Sequence, residues 1–335
     1  MASIRARAWG YFDQIVAGAP LKETNPWIKS AGVLSYEPDY STLELLLGVP
    51  VLLNANSQSG VPALALDVWV AYEFRRAGFD KDRVWPRATP PRVLPGEIVA
   101  FVDKLPRKDQ VGLWDRIKRG TGGASSANLL GKNYVKQVDV VMSAWATGPE
   151  LMVSTKRMDS SFGKNAANRV EESYGDAKNL RLRHPQAALG FFYALSAIAL
   201  ETEKDIAAWL IDLLIKLGRE DDAYDAVALI LPDLTKSEEP ADPVPYDEAG
   251  PIEAGPVDDE EETAAQLPLD TADDLDDVSP VSIYSEGIPP ELDPARFFEI
   301  MCRKILDNSP VNFHTDARLR QEQPRVNSIT AIEIA

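Results

Sequence analysis

The sequence predicts an α/β domain in which a mixed β-sheet is flanked by helices and interrupted by an acidic insertion. Three observations carry this. Tyr134–Trp145 and Glu150–Lys156 are β-rich and flank the turn Thr147-Gly148-Pro149, the signature of a hairpin. Helical patterns precede and follow that hairpin. Finally, Ser237–Asp293 holds 19 Asp and Glu and no Lys or Arg. That stretch is too charged, and too poor in apolar periodicity, to offset the entropy of ordering, so it is expected to be disordered.

The elements follow in order. Residues 1–60 mix short helical and loop signals broken by Pro20, Pro26, Pro38 and Pro50. Val61–Ala77 predicts a helix with Pro62 near its start and Gly78 as its stop. Pro-rich turns occupy Trp85–Pro95, and Glu97–Lys104 reads as a short strand or helix. Lys108–Arg119 reads as an amphipathic helix ended by Gly120, and Gly120–Ser126 (GTGGASS) lacks phosphate-loop spacing and reads as a linker. After the hairpin, Ser160–Leu180 contains a helix over Lys164–Tyr174. The segment after Pro185, PQAALGFFYALSAIALE, predicts a second helix and EKDIAAWLIDLLIKLG a third. Tyr224–Leu231 predicts a late strand and Pro294–Asn308 an amphipathic helix. No internal repeat is visible. The expected organisation is an N-terminal helical and loop region over 1–125, with DNA recognition as its candidate role, and a core over 126–236. The disordered insertion over 237–293 follows, then a C-terminal helix and tail over 294–335 that completes the core.

Composition excludes several chemistries. The single cysteine, Cys302, rules out an intramolecular disulfide and cysteine-based zinc sites, and the two histidines, His184 and His314, rule out a three-histidine zinc site. The absence of a long apolar run or an N-terminal signal pattern predicts no membrane partner and a reducing, cytoplasmic setting. Net charge is −17, yet outside the insertion 33 acidic residues face 35 basic ones. Basic clusters stand at Lys104-Arg107-Lys108, Arg116-Lys118-Arg119 and Arg181-Arg183-His184. A nucleic-acid partner is therefore compatible with the body of the chain. The insertion itself reads either as a solubilising linker or as an intramolecular mimic of DNA that contacts the basic cleft.

Three residues converge on one chemistry. Asp139 stands in the first hairpin strand between Val138 and Val140, where a carboxylate needs a partner or a metal. Ser154 and Lys156 share a face of the second strand, and a hairpin brings Lys156 towards Asp139. On a helical wheel with Val170 at its zero, Tyr174, Ala166 and Ala167 form the expected core stripe. Glu171 then flanks the stripe beside Lys164 and Asn168, and Glu172 faces away. Carboxylate oxygens suit Mg²⁺, which is held by one or two carboxylates and keeps its waters and a phosphate. A plain cross-strand ion pair would need only Asp139 and Lys156. Glu150, at the hairpin turn, is a competing second acid, whereas Asp67 and Glu73 on the early helix read as surface polarity with Asp67 kept as a secondary candidate. Lys164, Asn165, Asn168, Arg169, Arg181 and Arg183 are candidate DNA contacts. The scattered tryptophans read as core.

Asp139 followed by Ser154-Thr155-Lys156 resembles the PD-(D/E)XK nuclease superfamily and, within it, the restriction endonucleases. That pattern has an Asp on one strand and (D/E)-X-K on the next. Asp139 matches the first acid and Lys156 the lysine, while Ser154 stands where the second acid belongs. Some restriction enzymes make this exchange and take the missing carboxylate from a Glu on the next helix. Glu171, 15 residues after Lys156, matches that position, with Glu172 beside it. The resemblance implies a restriction-endonuclease-like mixed β-sheet core and a Mg²⁺-dependent endonuclease that cuts double-stranded DNA as a homodimer. It also implies Asp139, Lys156 and Glu171 as catalytic residues, and a metal held by Asp139, Glu171 and the Thr155 backbone carbonyl. Two other readings stay open: a catalytically degenerate DNA-binding or scaffold protein on the same fold, and an interaction protein that works through the acidic segment.

Overall fold

The computed structural model describes residues 3–56, 59–118, 127–159, 162–234 and 275–326, with backbone alone over 162–169. The N-terminal part contains α1 (Ile4–Gly18), β1 (Trp27–Ser30), β2 (Val33–Tyr36), α2 (Tyr40–Leu52), α3 (Val61–Arg76), β3 (Val84–Trp85), α4 (Gly96–Asp103) and α5 (Arg107–Lys118). The middle contains β4 (Ala127–Leu130), β5 (Val135–Val138), β6 (Val140–Ala144), β7 (Gly148–Met158), α6 (Phe162–Arg181), β8 (Ala188–Leu195), α7 (Ala199–Thr202), α8 (Lys204–Leu217) and β9 (Ala226–Pro232). After residue 274 come β10 (Ile283–Tyr284), α9 (Pro294–Asn308), α10 (Thr315–Glu322) and β11 (Arg325–Val326). No helix among the described residues is long and apolar enough to cross a membrane.

The centre is a mixed six-stranded sheet in the order β10-β9-β8-β7-β6-β3. β7, β8 and β9 run parallel, and β3, β6 and β10 are antiparallel to their neighbours. Side chains alternate between two cores. Val140, Val153, Phe192 and Ala228 pack with α1, α2, α3 and α9, while Val141, Met152, Phe191 and Leu229 pack with α6, α7 and α8. The first core runs from Ala8 to Ala317, so the N-terminal helices form one wall of the sheet. α4 and α5 keep a small core of their own around Leu94, Val99, Val102 and Ile117. An aromatic group of Trp69, Phe192, Phe297 and Phe298, with ring centroids 5.3–6.2 Å apart, joins α3, β8 and α9.

Four expectations are corrected here. The segment after Pro185 is a strand, β8, where a helix was expected. All eight of its residues are buried, because a parallel strand covered on both faces reads as an unbroken apolar run and loses the period that marks a strand. The expected disorder over 237–293 does not extend through its last part. Val278, Val281 and Leu292 are buried, the Val281 amide donates to the Glu44 carbonyl, and β10 pairs with β9. Charge count hides these apolar anchors, which are spaced among the acids. The rest of the insertion, 235–274, lies outside the described residues, as does the linker at 120–126.

Tyr134–Trp145, expected as one strand, is two: β5 pairs with β4 in a separate two-stranded ladder and β6 enters the main sheet. Glu73, expected at the surface, is fully buried on α3. It accepts from the Asp39 amide at 2.7 Å and the Tyr36 hydroxyl at 2.8 Å, and pairs with Arg76 at 2.9 Å. A buried charge persists when it is paired and hydrogen-bonded in this way.

Candidate active site

The site forms where β5 and β6 part company. Asp139 is the bend between them and not a residue inside a strand. The pairing of Val140 with Val153 places Asp139 opposite Ser154, beyond the last ladder pair of β6. There the Thr155 amide, which has no β6 carbonyl left to meet, donates to Asp139 Oδ2 at 2.8 Å. The Thr155 hydroxyl donates to Asp67 Oδ1 on α3. One residue thus holds two half-buried carboxylates, the first through its backbone and the second through its side chain. Lys156 follows it in sequence and is half-buried.

Electrostatics bind the group together. Burial pushes the Asp67 carboxyl up to about 8, and the charge of Asp139 pushes the same way, against the Thr155 hydrogen bond and the cations Lys156 and Arg5. Burial also raises Asp139, opposed by Lys156, the Thr155 amide and Lys136. The charge of Asp139 opposes ionisation of Asp67, and the Lys156 ammonium favours ionisation of both. A pair of this kind favours any additional positive charge. Among the described residues no cluster of three or more His, Cys, Asp or Glu has the arrangement of a metal centre. The donor set is therefore two carboxylates. Mg²⁺ is commonly held by one or two carboxylates while waters and phosphate fill its remaining positions, so these residues fit such an ion.

The other expected site residues are placed elsewhere. Ser154 is buried on the face of β7 that it shares with Lys156, opposite the Thr155 side chain, and its hydroxyl bonds Tyr224, which in turn donates to the Ser173 carbonyl at 2.9 Å. Glu171 and Glu172 are both exposed. The buried stripe of α6 is Ser173, Asp176, Ala177 and Leu180, and Tyr174, expected in it, is 39% exposed. This stripe is rotated away from one centred on Val170, and Glu171 points to the side remote from the sheet. The α6 acid that faces inward is Asp176. It pairs with Lys136 at 2.6 Å, accepts from the Tyr134 hydroxyl at 3.1 Å and adds to the field that raises Asp139.

Glu150 is buried near the start of β7, six residues from Lys156 or about 20 Å along the strand. There it meets His314 Nε2 at 3.0 Å, so it does not join Asp139. Arg181, expected on DNA, is buried, pairs with Asp225 at 2.6 Å and donates to the Ala187 and Ala223 carbonyls. Arg183 is exposed. Lys164, Asn165, Asn168 and Arg169 lie on α6, with side chains outside the described residues. Asp67 is the residue that sequence reasoning ranked too low. Its signal was a lone acid in VPALALDVWVAYEF, where every near neighbour is apolar. No family model, no curated protein and no solved structure matches the chain.

Proposed function

We propose that the chain is a Mg²⁺-dependent DNA endonuclease of the restriction-endonuclease-like kind, hydrolysing phosphodiester bonds by direct attack of water. The observation that carries the reading is the placement of Asp67 and Asp139 on the two hydrogen-bonding groups of Thr155, next to Lys156. Asp67 and Asp139 would hold the cation, which when bound lends Lewis acidity to the scissile phosphate and acidity to a water. Thr155 fixes both carboxylates, which limits the reorganisation they undergo as charge develops. Lys156 orients the attacking water and balances negative charge on the phosphoryl oxygens. Water adds to phosphorus and releases a proton to solvent, one bridging P–O bond breaks, and the leaving oxygen takes up a proton from solvent. Glu171 has no part in this version of the site, because Asp67 supplies the second carboxylate. Double-stranded DNA as substrate and a homodimer for cutting both strands belong to the same proposal.

The test is plasmid nicking with Mg²⁺ by the full chain and by Lys156→Ala, Asp139→Ala and Asp67→Asn. Loss of cleavage in all three variants, with unfolding curves that stay cooperative, supports the reading. Full cleavage by Lys156→Ala or Asp139→Ala ends it. A second reading, a catalytically degenerate DNA-binding or scaffold protein, is favoured by Ser154, which stands at the second acid of the motif and spends its hydroxyl on Tyr224. Salt-sensitive DNA binding by the parent chain without Mg²⁺-dependent cleavage would select it.

A further inference from the structure

β5 links the site to a second feature. At its other end, the turn between β4 and β5, the turn between β6 and β7 and the loop after α6 enclose an open cavity of about 690 Å³. Lys132, Thr147, Gly148, Leu182, Arg183 and His184 line it. We propose that this cavity anchors a backbone phosphate of double-stranded DNA whose scissile phosphodiester lies at Asp139 and Lys156. The inference rests on the nuclease reading and adds a second point at which the substrate is held.

Charge is the first argument. Among the described residues the lining carries Lys132, Arg183 and His184 and no carboxylate. Lys132 and Arg183 are exposed, and neither has a carboxylate partner among the described residues. Arg181, two positions away, differs in spending its guanidinium on Asp225 and on carbonyls. Cations left unpaired around a concave surface attract phosphate.

The second argument is preorganisation. Asn179 of α6 is buried beneath the β4–β5 turn. Its carbonyl oxygen Oδ1 accepts from the Asn133 amide at 2.9 Å, its side-chain amide donates to the Tyr134 carbonyl at 3.1 Å, and its backbone carbonyl accepts from the Lys132 amide at 2.8 Å. A Cβ on Gly131 would lie 2.1 Å from Asn179 Nδ2, so the turn is seated directly on this side chain. A turn braced in this way presents Lys132 without first having to be ordered.

The third argument is the span. From Gly148, at the cavity, to Thr155 is seven residues of β7, about 23 Å of strand. That equals about seven base pairs at 3.4 Å each. Cavity and site thus lie at two points along the single strand β7, a separation a stiff duplex can bridge. The Lys136 ammonium contributes to the field at Asp139. Apart from the His184 ring, whose Nε2 is engaged with the Leu130 carbonyl, no aromatic side chain among the described residues lines the cavity. It is built for phosphates and offers no stacking platform of the kind that holds unpaired bases.

The experiment uses the full chain and the double variant Lys132→Gln, Arg183→Gln, with Lys156→Ala alongside. Binding of a labelled duplex, and of the same single strand, is measured in EDTA at several salt concentrations. Each lost phosphate contact lowers the slope of log K against log salt by about 0.9, so the double variant is expected to lose about 1.8 on the duplex. With Mg²⁺, KM rises and kcat holds, because the cavity is remote from the reacting atoms. An unchanged duplex slope, or a loss confined to the single strand, overturns the proposal. The two readings fail separately. Cleavage retained by Lys156→Ala ends the nuclease reading whatever the slope, whereas cleavage lost by Lys156→Ala with an unchanged double-variant slope removes only the anchor.

Discussion

Asp67→Asn preserves the shape of the side chain and an acceptor for the Thr155 hydroxyl, but it deletes a carboxyl whose ionisation the fold opposes. Burial, reinforced by Asp139, raises this group to about 8 in the folded chain, against about 3.9 for an unperturbed aspartate in an unfolded one. Between those values Asp67 is protonated when folded and ionised when unfolded. The unfolded state then binds fewer protons, so this group draws stability down as pH rises from about 4 to about 8 and has no further effect above that. Each pH unit is worth about 1.4 kcal/mol, a ceiling near 6 kcal/mol across the window. Both carboxyls are half-buried, and solvent screening cuts this to about 1–2 kcal/mol.

The variant is therefore expected to gain about 1–2 kcal/mol over the parent at pH 8 and almost nothing at pH 4. Urea unfolding across that range in EDTA measures it. Adding Mg²⁺ should reverse the order at pH 8, since a cation rewards the ionised pair that the variant lacks. Parallel stability profiles for the two proteins would show that Asp67 does not share an electrostatic site with Asp139.

Three further outcomes follow from packing and pairing. Phe192→Ala empties a fully buried position among Trp69, Phe297 and Phe298 and should cost about 3–5 kcal/mol by urea unfolding. Arg181→Gln removes the shorter of the two ion pairs of half-buried Asp225, which keeps Lys304 at 3.4 Å and the Leu189 amide, and should cost about 1–3 kcal/mol. Arg183→Gln, at an exposed position, should change stability by under about 0.5 kcal/mol, so equal losses for the two would refute the contrast. Gly190→Ala would set a Cβ 2.7 Å from the Phe297 ring and 2.9 Å from Met301 Cε. Overpacking of about 1–3 kcal/mol, seen as a lowered Tm, is expected where α9 lies on β8.

Local chemistry alone determined a good deal of this molecule. α3 runs from beside Pro62 to the stop at Gly78, whose φ of +97° suits glycine. α9 occupies the predicted span, Pro294–Asn308, because Asp293 accepts its first free amide and apolar residues recur at helical spacing. The hairpin of β6 and β7 was legible from alternation and its glycine turn, and with it the approach of Lys156 to Asp139. These features depend on residues close in sequence, where turn geometry and periodicity act directly.

Tertiary structure decided the rest. β8 became a strand because parallel partners on both sides and helices on both faces claimed an apolar run whose own pattern fits either element. The orientation of α6 was set by the sheet and by Tyr224, which put Asp176 inward and Glu171 outward. The second carboxylate came from Asp67, 88 residues before Thr155. Local periodicity carries no record of a partner that far away. Only closure of α3 over β7 brings the two acids together, and the desolvation that follows gives the pair its character.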